Sequence, residues 1–137
     1  MRIVVADDVS EIIDAIEQRL SPEYEIVGRA GDGITLISMV RQLQPDVVIT
    51  DISMPRLSGI QALRQIRSLG LSTPSIVLSV HEDPELAQEA LADGVSAFVL
   101  KSRLQEDLRP ALQEALAGKK FVSERLRRKM KNSPHTN

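Results

Sequence analysis

An α/β doubly wound fold is what this 137-residue sequence predicts, and three observations carry the prediction. Short Val- and Ile-rich runs alternate with longer stretches whose apolar residues recur every three or four positions. The alternation repeats five times, β then α. Each run is nearly continuous in hydrophobicity, which suits parallel strands covered on both faces.

The first run is Ile3–Ala6, and Ile12, Ile13, Ile16 and Leu20 form the helical stripe after it. The second, Glu25–Gly28, is followed by Leu36, Ile37, Val40 and Leu43. The third, Val47–Thr50, is followed by Ile60, Leu63, Ile66 and, at the margin, Leu69. The fourth, Ile76–Val80, leads into Asp83-Pro84, an N-cap with proline at the first helical position, and that helix closes before Gly94. The fifth, Ala97–Leu100, precedes Leu108, Leu112, Ala115 and Leu116, with Gly118 as the stop. Pro110 must sit near the first turn of that helix or kink it.

Composition narrows the class. At 42% hydrophobic and 2% aromatic, the core is built from Ile, Leu, Val and Ala. With no cysteine there is no disulfide framework and no thiolate ligand or nucleophile. The opening MRIVVADD reaches two aspartates too soon for a signal peptide, and no stretch approaches the roughly 18 apolar residues of a membrane span. A soluble, cytoplasmic protein with no membrane partner is expected. The net charge of −2 hides a split: residues 118–137 carry seven Lys/Arg and one acid, leaving residues 1–117 at −8. A solvated basic tail is the plain expectation. Contact with nucleic acid would at most be weak, non-specific and salt-sensitive, because no DNA-reading motif accompanies the charge.

In doubly wound sheets ligands bind beyond the carboxyl ends of the strands. Asp7 and Asp8 follow the first run, Asp51 the third and Lys101 the fifth, while Ser79 ends the fourth and His81 stands just past it. Any one of these has an ordinary explanation; Asp7 or Asp8, for instance, could cap a helix. Together they bring three carboxylates, a hydroxyl and an amine to one rim. Three clustered carboxylates raise one another's pKa unless a cation is present, and Lys101 supplies only one charge. A hard divalent ion, Mg²⁺ or alternatively Mn²⁺, is the natural complement, with room for a phosphoryl oxygen. A carboxylate can also be the nucleophile in phosphoryl transfer. Asp51, on the central strand, is the best placed for that role.

These residues resemble the receiver domain of two-component response regulators, the CheY-like domain, over about residues 1–118. The resemblance rests on Asp7-Asp8, Asp51-Ile-Ser-Met-Pro55, Gly59, Ser79 and Lys101 in that order and spacing. MPRLSGIQALRQIR and ADGVSAFVLKS look most like the nitrate-regulator subfamily, whose members carry a helix-turn-helix output domain. The resemblance implies a flavodoxin-like five-stranded sheet of order 2-1-3-4-5. It implies that Asp51 accepts a phosphoryl group from a sensor histidine kinase or phosphotransfer protein. It implies Mg²⁺ held by Asp7, Asp8, Asp51 and the carbonyl of Ser53, with Lys101 pairing with the phosphoryl oxygens. Ser79 would turn toward the phosphoryl group, and Phe98 would move inward beside it. The output would be a changed surface around the fourth helix, fifth strand and fifth helix, read by a partner, by homodimerisation or as transcriptional control. The chain would be no enzyme beyond catalysing its own phosphorylation and hydrolysis. Ser53 and His81, at the mouth of the site, would tune hydrolysis by admitting or blocking water.

Three departures qualify the match. Phe98 stands where many receivers have Tyr, so it brings no hydroxyl. Ser102 follows Lys101 where many have Pro, which disfavours a cis bond there. Residues 119–137 resemble the start of an interdomain linker, with no DNA-reading domain after it. The ending SPHTN resembles neither a tag scar nor a cut inside a helix, which favours a stand-alone regulator over a severed receiver. Two other classes are weighed. A haloacid-dehalogenase-type phosphatase needs a second acid two residues after its nucleophile, where Ser53 stands, and a nucleophile on the first strand. A nucleotide-binding module would have to use GRAGDG (28–33), whose glycine order and place after the second strand read better as a turn.

Overall fold

The computed structural model describes residues 1–131. The order is β1 (Arg2–Ala6), α1 (Ser10–Leu20), β2 (Glu25–Ala30), α2 (Gly33–Leu43), β3 (Val47–Asp51), α3 (Gly59–Ser68), β4 (Ser75–Ser79), α4 (Pro84–Ala92) and β5 (Ala97–Leu100). A 3₁₀ turn (Lys101–Arg103), α5 (Leu104–Leu116), β6 (Phe121–Val122) and α6 (Glu124–Lys131) complete it. The sheet is parallel throughout, with strand order β2-β1-β3-β4-β5-β6. The expected order of the first five strands holds, and a sixth strand is added at the β5 edge.

Alternation along each strand divides the core into two layers. Val4, Val48, Val77 and Phe98 face one way, toward Leu36 and Val40 of α2, Leu63 and Ile66 of α3, and Ala87 and Ala90 of α4. Ile3, Ile49, Leu78 and Val99 face the other, toward Ile13 and Ile16 of α1 and Leu108 and Leu112 of α5. This is why the strand runs read as continuously apolar.

Helix ends follow their side chains. Asp32 caps α2 by accepting the Thr35 N–H at 2.8 Å, so GRAGDG is a strand-to-helix turn. Ser58 and Gln61 form a reciprocal capping box at α3. Asp83 caps α4, with Pro84 opening the helix. Gly118, at φ +77°, ends α5: its N–H donates to the Ala115 carbonyl and the Lys119 N–H to that of Glu114, a Schellman closure. Pro110 lies well inside α5. Among the described residues the cis peptide bond is Ser21–Pro22, and Lys101–Ser102 is trans.

Several boundaries differ from expectation. β2 continues to Ala30, whose carbonyl accepts the Asp7 N–H at 2.9 Å. β4 stops at Ser79, leaving Val80 68% exposed. Leu69 caps α3 in an exposed position rather than joining the stripe. The largest difference is beyond residue 118. Instead of a solvated tail, Val122 and Leu126 are buried in the core and Met130 packs against it. Leu126 and Met130, one turn apart, put apolar residues on one side of the charged α6. The ending SPHTN (133–137), on which the stand-alone expectation rests, lies outside the described residues. No helix among the described residues is long and apolar enough to cross a membrane.

Candidate functional site: an acidic pocket at the strand ends

The pocket forms where β1, β3, β4 and β5 end together. Asp7 is buried just past β1, where its Oδ1 accepts the Val9 N–H at 2.9 Å. Neither Asp7 nor Asp8 caps α1; the N-cap position is Val9, with no side-chain bond. Asp8 is exposed. Asp51 is the last residue of β3 and is buried. Asp7, Asp8 and Asp51 each offer a carboxylate oxygen, and these oxygens lie within 4.8 Å of one another.

Lys101, the first residue after β5, points its ammonium between two of them. Nζ donates to Asp7 Oδ2 at 3.0 Å and lies 3.2 Å from Asp51 Oδ2. Burial pushes the Asp51 carboxyl above the ordinary carboxylate range; Lys101 pulls it back, but the Asp7 charge adds to the rise. Burial alone would lower Lys101, yet its bond to Asp7 and the charges of Asp51 and Asp7 more than offset that and raise it. The two shifts agree: one ammonium has two carboxylates, whereas the carboxylates share one ammonium. The negative excess at a cluster of convergent oxygens fits a hard divalent cation held by Asp7, Asp8 and Asp51.

A cavity of about 250 Å³ opens over this cluster, lined by Asp8, Asp51, Ser53, Ser79, His81 and Lys101 among others. A larger groove of about 610 Å³ lies along α2, and none of the cluster's residues lines it. Ser53 and His81 are thus both at the pocket wall. Ser79 is buried, and its hydroxyl is engaged away from the carboxylates: it donates to the His81 carbonyl and accepts the His81 N–H, both at 3.0 Å. Phe98 is 0% exposed. Its ring lies inside the α4-side core, in the same cluster as Val122 and Leu126.

The β3–α3 loop is tied down from both ends. The Ile52 N–H donates to the Leu78 carbonyl and the Gly59 N–H to the Ile52 carbonyl. Gly59 meets a steric demand: a Cβ there would run into the Asp51 carbonyl oxygen and the Thr50 side chain. Arg56, at φ +67°, reaches Asp32 at 2.8 Å and pins the loop to the start of α2. Two residues went unnoticed in the sequence. Ser123 is fully buried, and its hydroxyl accepts the Leu100 N–H at 3.0 Å. Glu82, one residue past His81, pairs with α6 through Arg125. A serine inside a basic segment and an acid in a loop give no local signal of a distant partner.

The response regulator receiver domain family matches residues 3–113. The nitrate/nitrite response regulator protein NarL of Escherichia coli (strain K12) is 33% identical over 126 residues, covering 90% of this chain and 58% of that protein. The chain thus spans little more than half the length of that relative. Among solved structures, the signal receiver domain of NarL from Mycobacterium tuberculosis aligns with a TM-score of 0.80 and 29% identity, covering 86% of this chain and 97% of that one. The RcsB response regulator of Salmonella typhimurium aligns with a TM-score of 0.88 and 30% identity, covering 97% of this chain and 68% of that one. Neither the phosphatase nor the nucleotide-module reading accounts for that match together with an acidic pocket at the ends of β1 and β3. The chain belongs to the response regulator receiver domain family of two-component systems, close to its NarL-type members.

Proposed function

We propose that this chain is a phosphorylation switch in which Asp51 accepts a phosphoryl group from a sensor histidine kinase or phosphotransfer protein in the cytoplasm. The observation that carries the reading is the Asp51 carboxylate: it ends the central strand inside the pocket, 3.2 Å from the Lys101 ammonium, with two further carboxylates beside it.

The transfer is a displacement at phosphorus. A carboxylate oxygen of Asp51 attacks, the P–N bond of a phosphohistidine breaks, and the leaving imidazole nitrogen keeps the electron pair. Little else is required of the protein than alignment and charge neutralisation. Lys101 takes the phosphoryl oxygens that Asp51 brings within its reach. Asp7, Asp8, Asp51 and the Ser53 carbonyl would hold Mg²⁺ or Mn²⁺, which when bound supplies charge neutralisation at the phosphoryl oxygens. Hydrolysis is the second displacement: water attacks phosphorus, the P–O bond to Asp51 breaks, and the carboxylate and inorganic phosphate are released. Ser53 and His81 at the wall govern access for that water. The Ser79 hydroxyl, which now faces His81, is free to rotate once a phosphoryl oxygen offers it a better acceptor. The output is a changed α4–β5–α5 surface read by a partner or a second copy, and relatives such as NarL point to transcriptional control.

The test is intact-mass spectrometry after incubation with acetyl phosphate, with and without Mg²⁺, on wild type and Asp51→Asn. One phosphoryl group gained only with Mg²⁺ and only by wild type is the expected result. Undiminished labelling of Asp51→Asn would remove Asp51 from the role.

A further inference from the structure

Residues 120–131 return to the domain and cover one face of it. The Phe121 and Ser123 amides donate to the carbonyls of Ser96 and Phe98, which makes β6 the outer neighbour of β5. Lys120 Nζ donates to the Val95 carbonyl at 2.8 Å. α6 packs on α4, and Leu126 joins Ala87, Ala90 and Phe98 in the core. The covered face is part of the α4–β5–α5 surface proposed above as the output.

Two fastenings of this segment lead back to the acidic pocket. The Ser123 hydroxyl accepts the N–H of Leu100, the residue immediately before Lys101. On the other side, Glu82 Oε1 lies 2.8 Å from Arg125 Nε and 3.7 Å from Lys129 Nζ, ion pairs on α6. Glu82 follows His81, whose backbone is held by the Ser79 hydroxyl through two hydrogen bonds. Ser79, His81, Glu82, Arg125 and α6 therefore form one continuous chain of contacts.

We propose that the α4–β5 face is an interaction surface masked by the chain's own residues 120–131, which act as a clasp released from the acidic pocket; this rests on the reading of Asp51 as phosphoryl acceptor. When the Ser79 hydroxyl turns to a phosphoryl oxygen, the loop at His81 loses both of its bonds to Ser79. Glu82 then moves off Arg125 and Lys129, and α6 loses those two ion pairs to the domain body. Repositioning of Lys101 acts on the Ser123 bond through Leu100. The opened clasp uncovers the β5 edge and the apolar strip of Ala87, Ala90 and Phe98.

Hydrogen exchange of residues 121–131, followed by mass spectrometry on the full chain, tests this. It is run on wild type and Glu82→Gln, before and after acetyl phosphate with Mg²⁺, with intact mass read from the same samples. Two results are expected. Glu82→Gln exchanges about two- to fivefold faster in this segment without phosphorylation, the size expected from a partly exposed ion pair. Phosphorylated wild type loses protection at least as far. A mass gain with protection unchanged overturns the clasp and leaves the acceptor reading intact. Unchanged exchange in Glu82→Gln overturns the Glu82 tether and the proposal with it. No mass gain overturns the acceptor reading, and the clasp falls with it because it has nothing to read.

Discussion

Lys101 Nζ lies 3.2 Å from Asp51 Oδ2 and shares its single charge with Asp7, to which it donates at 3.0 Å. The pocket is therefore under-neutralised by construction. Ionisation of Asp51 is disfavoured, through burial first and with the neighbouring Asp7 charge adding to it, while Lys101 works against both.

Titration should expose that imbalance. Without divalent cation, Asp51 protonates at a higher pH than an ordinary aspartate. Its folded-state pKa is raised, so its contribution to stability is fully present below the unfolded value of 3.8 and is lost as pH rises through the folded one. Asp51→Asn is then more stable than wild type at neutral pH, and the gain shrinks on acidification toward that lower limit. Urea unfolding of both proteins across the acidic range, metal-free, measures it. Addition of Mg²⁺ lowers the Asp51 midpoint in a carboxyl-detected NMR titration.

Gly59→Ala tests the close approach of α3 to the end of β3. The added methyl meets the Asp51 carbonyl, a backbone atom that cannot swing aside. The expected cost is about 1–3 kcal/mol, as for overpacking elsewhere. A denaturation midpoint equal to wild type would mean the loop carrying Ser53 yields freely.

Ser123→Ala removes the acceptor for the buried Leu100 N–H. Leaving that donor unpaired costs about 1–3 kcal/mol, felt first at β6 and the end of β5. Faster amide exchange confined to residues 98–101 and 121–126 is the expected signature; global loss of protection at the same level would place Ser123 in the core of the fold instead.

Ser53 and His81 flank the pocket opening. Substituting either is expected to change the lifetime of phosphorylated protein more than its rate of formation, because access of water matters to hydrolysis and not to attack by Asp51. Loss of the phosphorylated mass with time, against its rate of appearance with acetyl phosphate, separates the two. Equal changes in both rates would count against the assignment.

Most of the pocket was legible because strand ends in a parallel sheet converge by geometry alone. Asp7, Asp8, Asp51 and Lys101 could be placed together once each was seen to follow an apolar run. Ser79 was legible as a position but not in its state, since a hydroxyl's partner depends on where the next two backbone residues turn. Phe98 was legible as a strand residue but not as a member of one core cluster with Val122 and Leu126, because that depends on what packs beside β5.

What the sequence by itself determined is what repeats locally: five β–α units, the cap at Asp83 with Pro84 after it, and the charged residues at the strand ends. Apolar periodicity and capping chemistry act over a few residues, so they are written into short stretches. What only the tertiary structure decided is the fate of residues 119–131. Seven cations at the end of the chain read as solvated, because charge is the loudest feature of that stretch. The three apolar residues Val122, Leu126 and Met130, with Ser123 and Glu82 as long-range partners, folded it back onto β5 and α4. Burial against a distant surface is a property of both surfaces, and a single stretch of sequence holds only one of them.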